Sequence, residues 1–206
     1  MTIAHSIWIH SLSPEWTLTE TQVAAAWETI SLRYSEPHRH YHTIEHIDEM
    51  IEVCFALSDG THDRQLLMYA SIFHDFYYNP QAHDNEELSA NLAYDFALKA
   101  GMDKDFADRA KKLILGTKEH WAFDDDSAVL FDADLFRLAS DRFPEHSANI
   151  RKEYSWVPDD LYREGRAKVL HSFLDREKIY QSPWGAGYEE SARKNLQTAL
   201  TELTKG

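Results

Sequence analysis

Apolar residues recur along this chain at helical spacing, and no stretch alternates in the way a half-buried hairpin would. In SPEWTLTETQVAAAWETISLRYSEP, Val23, Ala26, Trp27 and Ile30 form one stripe, Ser or Thr residues offer a start, and Pro37 supplies a stop. Ile44, Ile47, Ile51 and Cys54 keep the same period until Gly60. Residues 64–76 contain the strongly apolar run LLMYASIFHDF, closed by Asn79-Pro80. Asp84-Asn85-Glu86-Glu87 reads as an N-cap followed by first-turn acids, opening a helix to about Ala100 before Gly101. Further helices are predicted at about 103–119, 128–139, 145–154, 158–174 and 188–203, with Gly116 weakening the first of these. The DDD at 124–126 reads as a solvated loop. No repeat, low-complexity tract or linker interrupts the pattern, which predicts one all-α domain.

Composition narrows the partners. The chain has 206 residues and a formal charge of −14, so it lacks the Lys/Arg surface that counterion release from nucleic acid requires. A small phosphate ligand remains compatible, because a local metal charge outweighs a distant surface field. The single cysteine, Cys54, lies in an apolar run and reads as a buried, inert thiol. MTIAHSIWIHSL has neither a basic stretch nor a small-residue cleavage site, so no signal peptide is expected. No apolar run approaches the roughly 20 residues of a membrane span. A cytoplasmic protein, without membrane or nucleic-acid partners, is expected.

Candidate chemistry lies in the histidines and aspartates. His-Asp occurs three times. His62-Asp63 follows a turn and reads as surface, and His83-Asp84 precedes a helix, where Asp84 or Asn85 serves as a cap. His74-Asp75 closes a segment that should be buried, and a buried carboxylate there needs a strong partner. Two other stretches offer one. In RHYHTIEH, His42 and His46 are four apart and would share one face of a continuous helix. In FDADLFRL, Asp132 and Asp134 interrupt a hydrophobic pattern; being two apart, one should point inward and the other to solvent. A histidine, a His-Asp pair and a later helical aspartate form a coherent N/O site for manganese, iron, zinc, cobalt, nickel or magnesium.

With these residues in order, the chain resembles the HD superfamily of metal-dependent phosphohydrolases, whose pattern H…HD…D falls on His46, His74-Asp75 and Asp134. YHTIEHIDEM is also similar to the YHNxxHAxDV signature of cyclic-nucleotide phosphodiesterases. The strings RYSEPHRHYH, FHDFYYNP, NEELSA, DADL and a C-terminal EY…GR…FL…IY…AR.NL are similar to uncharacterised bacterial proteins predicted to be HD phosphohydrolases.

The resemblance implies a single helical-bundle domain of the HD/phosphodiesterase type over residues 1–206. A metal-site core would span about 30–140, with C-terminal helices at about 145–203 packed on it. It also implies one or two divalent ions held by His46, His74, Asp75 and Asp134. Activity would be hydrolysis of a phosphate mono- or diester, with a nucleotide or related metabolite as substrate, by metal-activated water and with His42 as proton donor. His120 is a candidate second-metal ligand or phosphate contact, its alternative being a surface histidine at a helix C-terminus. Glu86 is a candidate for orienting the attacking water, or simply a first-turn charge. Arg39 is a candidate phosphate contact or an ordinary exposed arginine, and Arg166, Arg176 and Arg193 could supply further cations but read better as surface residues paired with acids.

One departure matters: HDFYYNP lacks the further histidine and Pro-Gly that follow HD in the cyclic-nucleotide enzymes, so their specificity is not implied. Two other functions stay open, an HD-fold di-iron oxygenase and a non-catalytic ligand-binding HD protein, as does a homodimer.

Overall fold

The computed structural model describes residues 1–205, and all the regular structure in them is helical. The helices are α1 (Ile3–Ile7), α2 (Glu20–Arg33), α3 (Ile44–Leu57), α4 (Arg64–Phe73), α5 (Asn85–Lys99), α6 (Lys104–Gly116), α7 (Asp125–Asp134), α8 (Phe143–Glu153), α9 (Asp159–Leu174) and α10 (Glu189–Lys205). None of the described helices is long and apolar enough to cross a membrane.

The periodic segments form where their apolar stripes predict, and most ends have a local cause. Thr19 and Gln22 close a capping box on α2, and Asp63 and Asp103 cap α4 and α6. The aspartates at 124–126 are not a solvated loop. Asp124 caps α7 in a reciprocal box with Ser127, and Asp126 bonds the Asp63 backbone N–H and the Arg109 guanidinium. Asp84 occupies the N-cap position of α5 without a side-chain bond; Asn85 instead closes the preceding loop by exchanging hydrogen bonds with Asn79. Helix α7 ends at Asp134, and residues 135–139 tighten into a 3-10 turn, where one helix to 139 was predicted.

The buried side chains form two apolar clusters. The larger runs from Ala4 to Ala133 and joins α1 to α7. Its start was not predicted: Ala4, Trp8 and Leu12, four apart, are fully buried on α1 and the π-turn Trp8–Leu12 that continues it. Trp8 packs among Trp16, Trp27, Phe73 and Phe96. The smaller cluster begins at Leu135 and gathers Phe143, Leu170, Ile179, Tyr180, Ala192 and Leu196. Asp134 lies at the seam between them. Gly116 is required at the close approach of α6 to α7, because a Cβ there would run into the Phe131 ring. Cys54 is buried, and burial pushes its thiol up to about 12, in keeping with an inert role.

Candidate metal centre

Three helices bring the ligand candidates to the seam. His46 lies in the first turn of α3, His74 and Asp75 follow the last residue of α4, and Asp134 ends α7. The donor atoms of His46, His74 and Asp75 all lie within 4.8 Å of one another, a group that could hold a metal ion. Asp134 joins it through Oδ1, 3.1 Å from His46 Nε2 and 3.7 Å from His74 Nε2. Donors about 2.1 Å from one ion and at a right angle would be about 3 Å apart, the scale of these separations.

The His74 ring carries the most telling detail. Its Nδ1–H donates to the Ser71 carbonyl at 2.9 Å, which fixes the tautomer and leaves Nε2 as the ligating atom. That Nε2 is buried and makes no hydrogen bond; Asp75 Oδ2 is 2.9 Å away but off the direction an N–H there would point. A buried nitrogen facing carboxylates with no hydrogen bond of its own is a place for a cation. Burial alone would disfavour a charged His74, but Asp75 and Asp134 together hold it up to about 9. Both carboxylates are partly buried, and the desolvation opposes their charge, yet the surrounding histidines hold them well below the usual range. A proton on His74 thus supplies the positive charge the two acids demand, and N/O donors of this kind fit a divalent ion that would replace it.

No family model, curated protein or solved structure matches the chain.

His120 reaches the same cluster, its Nε2 2.9 Å from Asp134 Oδ2. It is the one non-glycine residue with positive φ (51°) among those described. Such a backbone costs about 1–2 kcal/mol and persists only when its surroundings fix it. Here Gln181 and Arg176 both donate to its carbonyl. Gln181 is in turn anchored by Asp132, which accepts from the backbone N–H groups of Gln181 (2.7 Å) and Ser182 (2.8 Å). Asp132 was expected either to face the site or to take solvent. It points inward, 1% exposed, but away from the ligand cluster, and clasps the 179–185 loop. Gly185 passes so close to it that a Cβ would strike the carboxylate.

His42 and His46 do not share a helix face. Thr43 is the N-cap of α3, so His42 belongs to the preceding loop, yet the two rings lie 6.3 Å apart, edge to face. Glu153, at the end of α8, fixes that loop. One oxygen accepts from the backbone N–H groups of His40, Tyr41 and His42 (2.7, 2.7 and 3.0 Å). The other accepts from His42 Nδ1 and the Tyr78 hydroxyl, both at 2.7 Å. Burial opposes its charge, but these donors outweigh burial and bring Glu153 down to about 2. The His42 ring also stacks on Tyr78 at 4.0 Å. Sequence reasoning missed Glu153 and Gln181, since nothing local marks an acid at a helix end or a loop glutamine as a partner of residues far away in sequence.

Arg39 was a candidate either to hold phosphate or to be an ordinary exposed arginine, but its side chain is fully buried. Its guanidinium donates to Glu36 and to the carbonyls of His42, Asp75 and Phe76, tying the histidine loop to the turn after α4. Arg176 and Arg193 likewise donate mainly to carbonyls rather than to surface acids.

The cluster opens onto a cavity of about 340 Å³, lined by His42, His74, Asp75, His120 and Asp134 and also by Glu86, Lys118 and Arg166. Glu86 is on its wall, 3.5 Å from the Lys118 ammonium. A larger cleft of about 730 Å³ adjoins it across Tyr78 and Pro80. That cleft contains none of the clustered ligands, so the smaller cavity is the one onto which the cluster opens.

Proposed function

We propose that this chain is a metal-dependent phosphohydrolase of the HD type, acting on a phosphate mono- or diester, with a nucleotide or related small metabolite as the substrate class. The observation that carries the reading is the His46–His74–Asp75 group, with His74 Nε2 buried, hydrogen-bonded to nothing and turned toward carboxylates. Asp134 is taken as the fourth ligand and His120 as the additional nitrogen donor of the site. A divalent ion bound there would supply positive charge to polarise a phosphoryl oxygen and to acidify water.

The chain's own residues supply the rest. His42, with Nδ1 held by the buried Glu153 carboxylate, has its ring oriented with Nε2 left to give a proton to the departing oxygen. Arg39 and Glu153 position that histidine from either side of the loop. Asp132, through Gln181, positions His120. A di-iron oxygenase is the second reading, favoured by one observation, the contact of His120 with Asp134; it predicts an iron-dependent optical change on adding O₂.

A phosphatase and nucleotide panel with manganese, magnesium, cobalt or nickel tests the first reading. Release of phosphate or nucleoside monophosphate that requires the metal and disappears in Asp75→Ala is expected. Activity surviving in that variant would place the chemistry elsewhere.

A further inference from the structure

Arg166 is a cation on the cavity wall that the protein leaves without a partner. It lies in α9, half-buried, on the wall of the cavity that contains His74, Asp75, His120 and Asp134. Among the described residues it has no salt bridge and no hydrogen bond. All other arginines but Arg163 donate to a carboxylate or a carbonyl. Acids are not scarce: the chain has 35 Asp and Glu against 21 Lys and Arg. A partly desolvated guanidinium with all five N–H groups unspent is costly inside the protein and well shaped for an external oxyanion.

We propose that Arg166 is the anion clamp of this cavity and that the substrate is a phosphate monoester dianion rather than a diester. The choice follows from oxygen count. A bidentate guanidinium takes two terminal oxygens, and a divalent ion at the ligand cluster takes a third. A monoester has three terminal oxygens besides the bridging one that would receive the His42 proton; a diester has only two. Lys118 does not compete for this role, since it is held by the His83 carbonyl at 2.6 Å and faces Glu86. Leu138, Ile150 and Phe173 line the same cavity and offer the organic part of the ester an apolar wall. The clamp rests on the metal-site reading, because phosphate is shared between Arg166 and the ion.

Calorimetry on the full chain separates the two. Manganese is titrated first, then inorganic phosphate at pH 8, where it is a dianion, and dimethyl phosphate in parallel. Arg166→Gln should leave manganese affinity unchanged and weaken phosphate binding by about 10–100-fold, the worth of hydrogen bonds to a charged group. Dimethyl phosphate, bound less well by the wild type, should lose about threefold or less. Arg166→Lys should recover only part of the loss, since it restores charge without the fork. Arg163→Gln, three residues away and facing only the neighbouring cavity of about 290 Å³ that Arg166 also borders, should change nothing. Retained manganese binding also shows that each variant is folded. A protein that takes up manganese but binds phosphate equally well as Arg166→Gln overturns the clamp alone. Equal losses in Arg163→Gln and Arg166→Gln without metal place the anion in the neighbouring cavity and overturn it too. A wild type that takes up no manganese overturns the metal reading and the clamp together.

Discussion

The two apolar clusters contribute differently to the site. The larger, N-terminal one presents His46 from the buried face of α3 and His74 and Asp75 from the end of the wholly buried α4 run Leu66–Phe73, and Asp134 comes at its last turn. The smaller, C-terminal one presents no ligand. It brings Glu153, Gln181 and Arg166 over the cluster from α8, the 179–185 loop and α9, and two of these hold histidines in place. One half would hold an ion; the other would orient the groups that use it. Substitutions in the two halves should therefore separate binding from rate.

The largest effect is expected at the ligands. His74→Ala removes the nitrogen that is buried and unbonded, and Asp134→Asn removes the carboxylate that touches three histidines. Each should lower manganese affinity by more than about 100-fold, beyond the 10–100-fold typical of groups that only support a ligand. Hydrolysis should fall to background while the far-ultraviolet circular dichroism is unchanged. A full complement of metal bound by His74→Ala would remove the N-terminal half from the role assigned to it.

Glu153→Gln tests the other half. The amide keeps the shape but not the second acceptor oxygen, so it cannot hold both the loop N–H groups and His42 Nδ1, and kcat should fall by about 10²–10³ with manganese affinity unchanged. Stability should fall too, with a definite pH signature. Glu153 is brought from 4.5 in the unfolded chain to about 2 in the folded one. A lowered carboxylate pKa contributes stability that is complete above the unfolded value and lost as pH falls through the folded one. The contribution is on the order of 3 kcal/mol at pH 7, and more than half is gone by pH 3. Urea unfolding of wild type and Glu153→Gln should therefore differ clearly at pH 7 and converge toward pH 3. A constant gap across that range would mean that Glu153 stabilises through packing rather than charge.

The same division explains what could be read from sequence. His46, His74 and Asp75 stand out in the sequence because each interrupts an apolar helical pattern, where a polar group must have a reason, whereas that pattern leaves Asp132 and Asp134 open and only the order H…HD…D points to Asp134. The all-α architecture was legible from the period of those patterns. Glu153 and Asp132 were not, because their partners lie 111 and 49 residues away and belong to loops that carry no period. Arg39 and Arg166 were misjudged for a related reason. Beside a histidine cluster Arg39 looks available, and amid many acids Arg166 looks paired; only the packing shows which guanidinium is spent on carbonyls and which is free.

Asp132→Asn sharpens the contrast inside one helix. Two residues from Asp134, Asp132 spends both oxygens on backbone N–H groups of the 179–185 loop. An asparagine satisfies one and opposes its own N–H to the other, at a cost of about 1–3 kcal/mol. Thermal unfolding should register that loss. Manganese affinity should fall by no more than about tenfold, through the loosened Gln181–His120 link. If Asp132→Asn abolished metal binding as Asp134→Asn does, the two aspartates would not have the separate roles that the fold gives them.

The smallest effect is expected at Glu86, where the two halves face each other across the cavity. It is a first-turn acid of α5, and its one close cation is Lys118 at 3.5 Å, an exposed pair of the kind worth about 0–1 kcal/mol. If it serves only to hold the Lys118 ammonium on the cavity wall, Glu86→Gln should change kcat/KM by no more than about fivefold, and added salt should reduce even that difference. If it orients the attacking water, the same substitution should cost about 10² or more in kcat, insensitive to salt, because a group acting on the reacting atoms is not screened from them. Salt dependence therefore decides more than the size of the effect. A loss that disappears in high salt assigns Glu86 to the rim; one that persists moves the rate-setting groups into both halves and ends the clean division between holding the ion and using it.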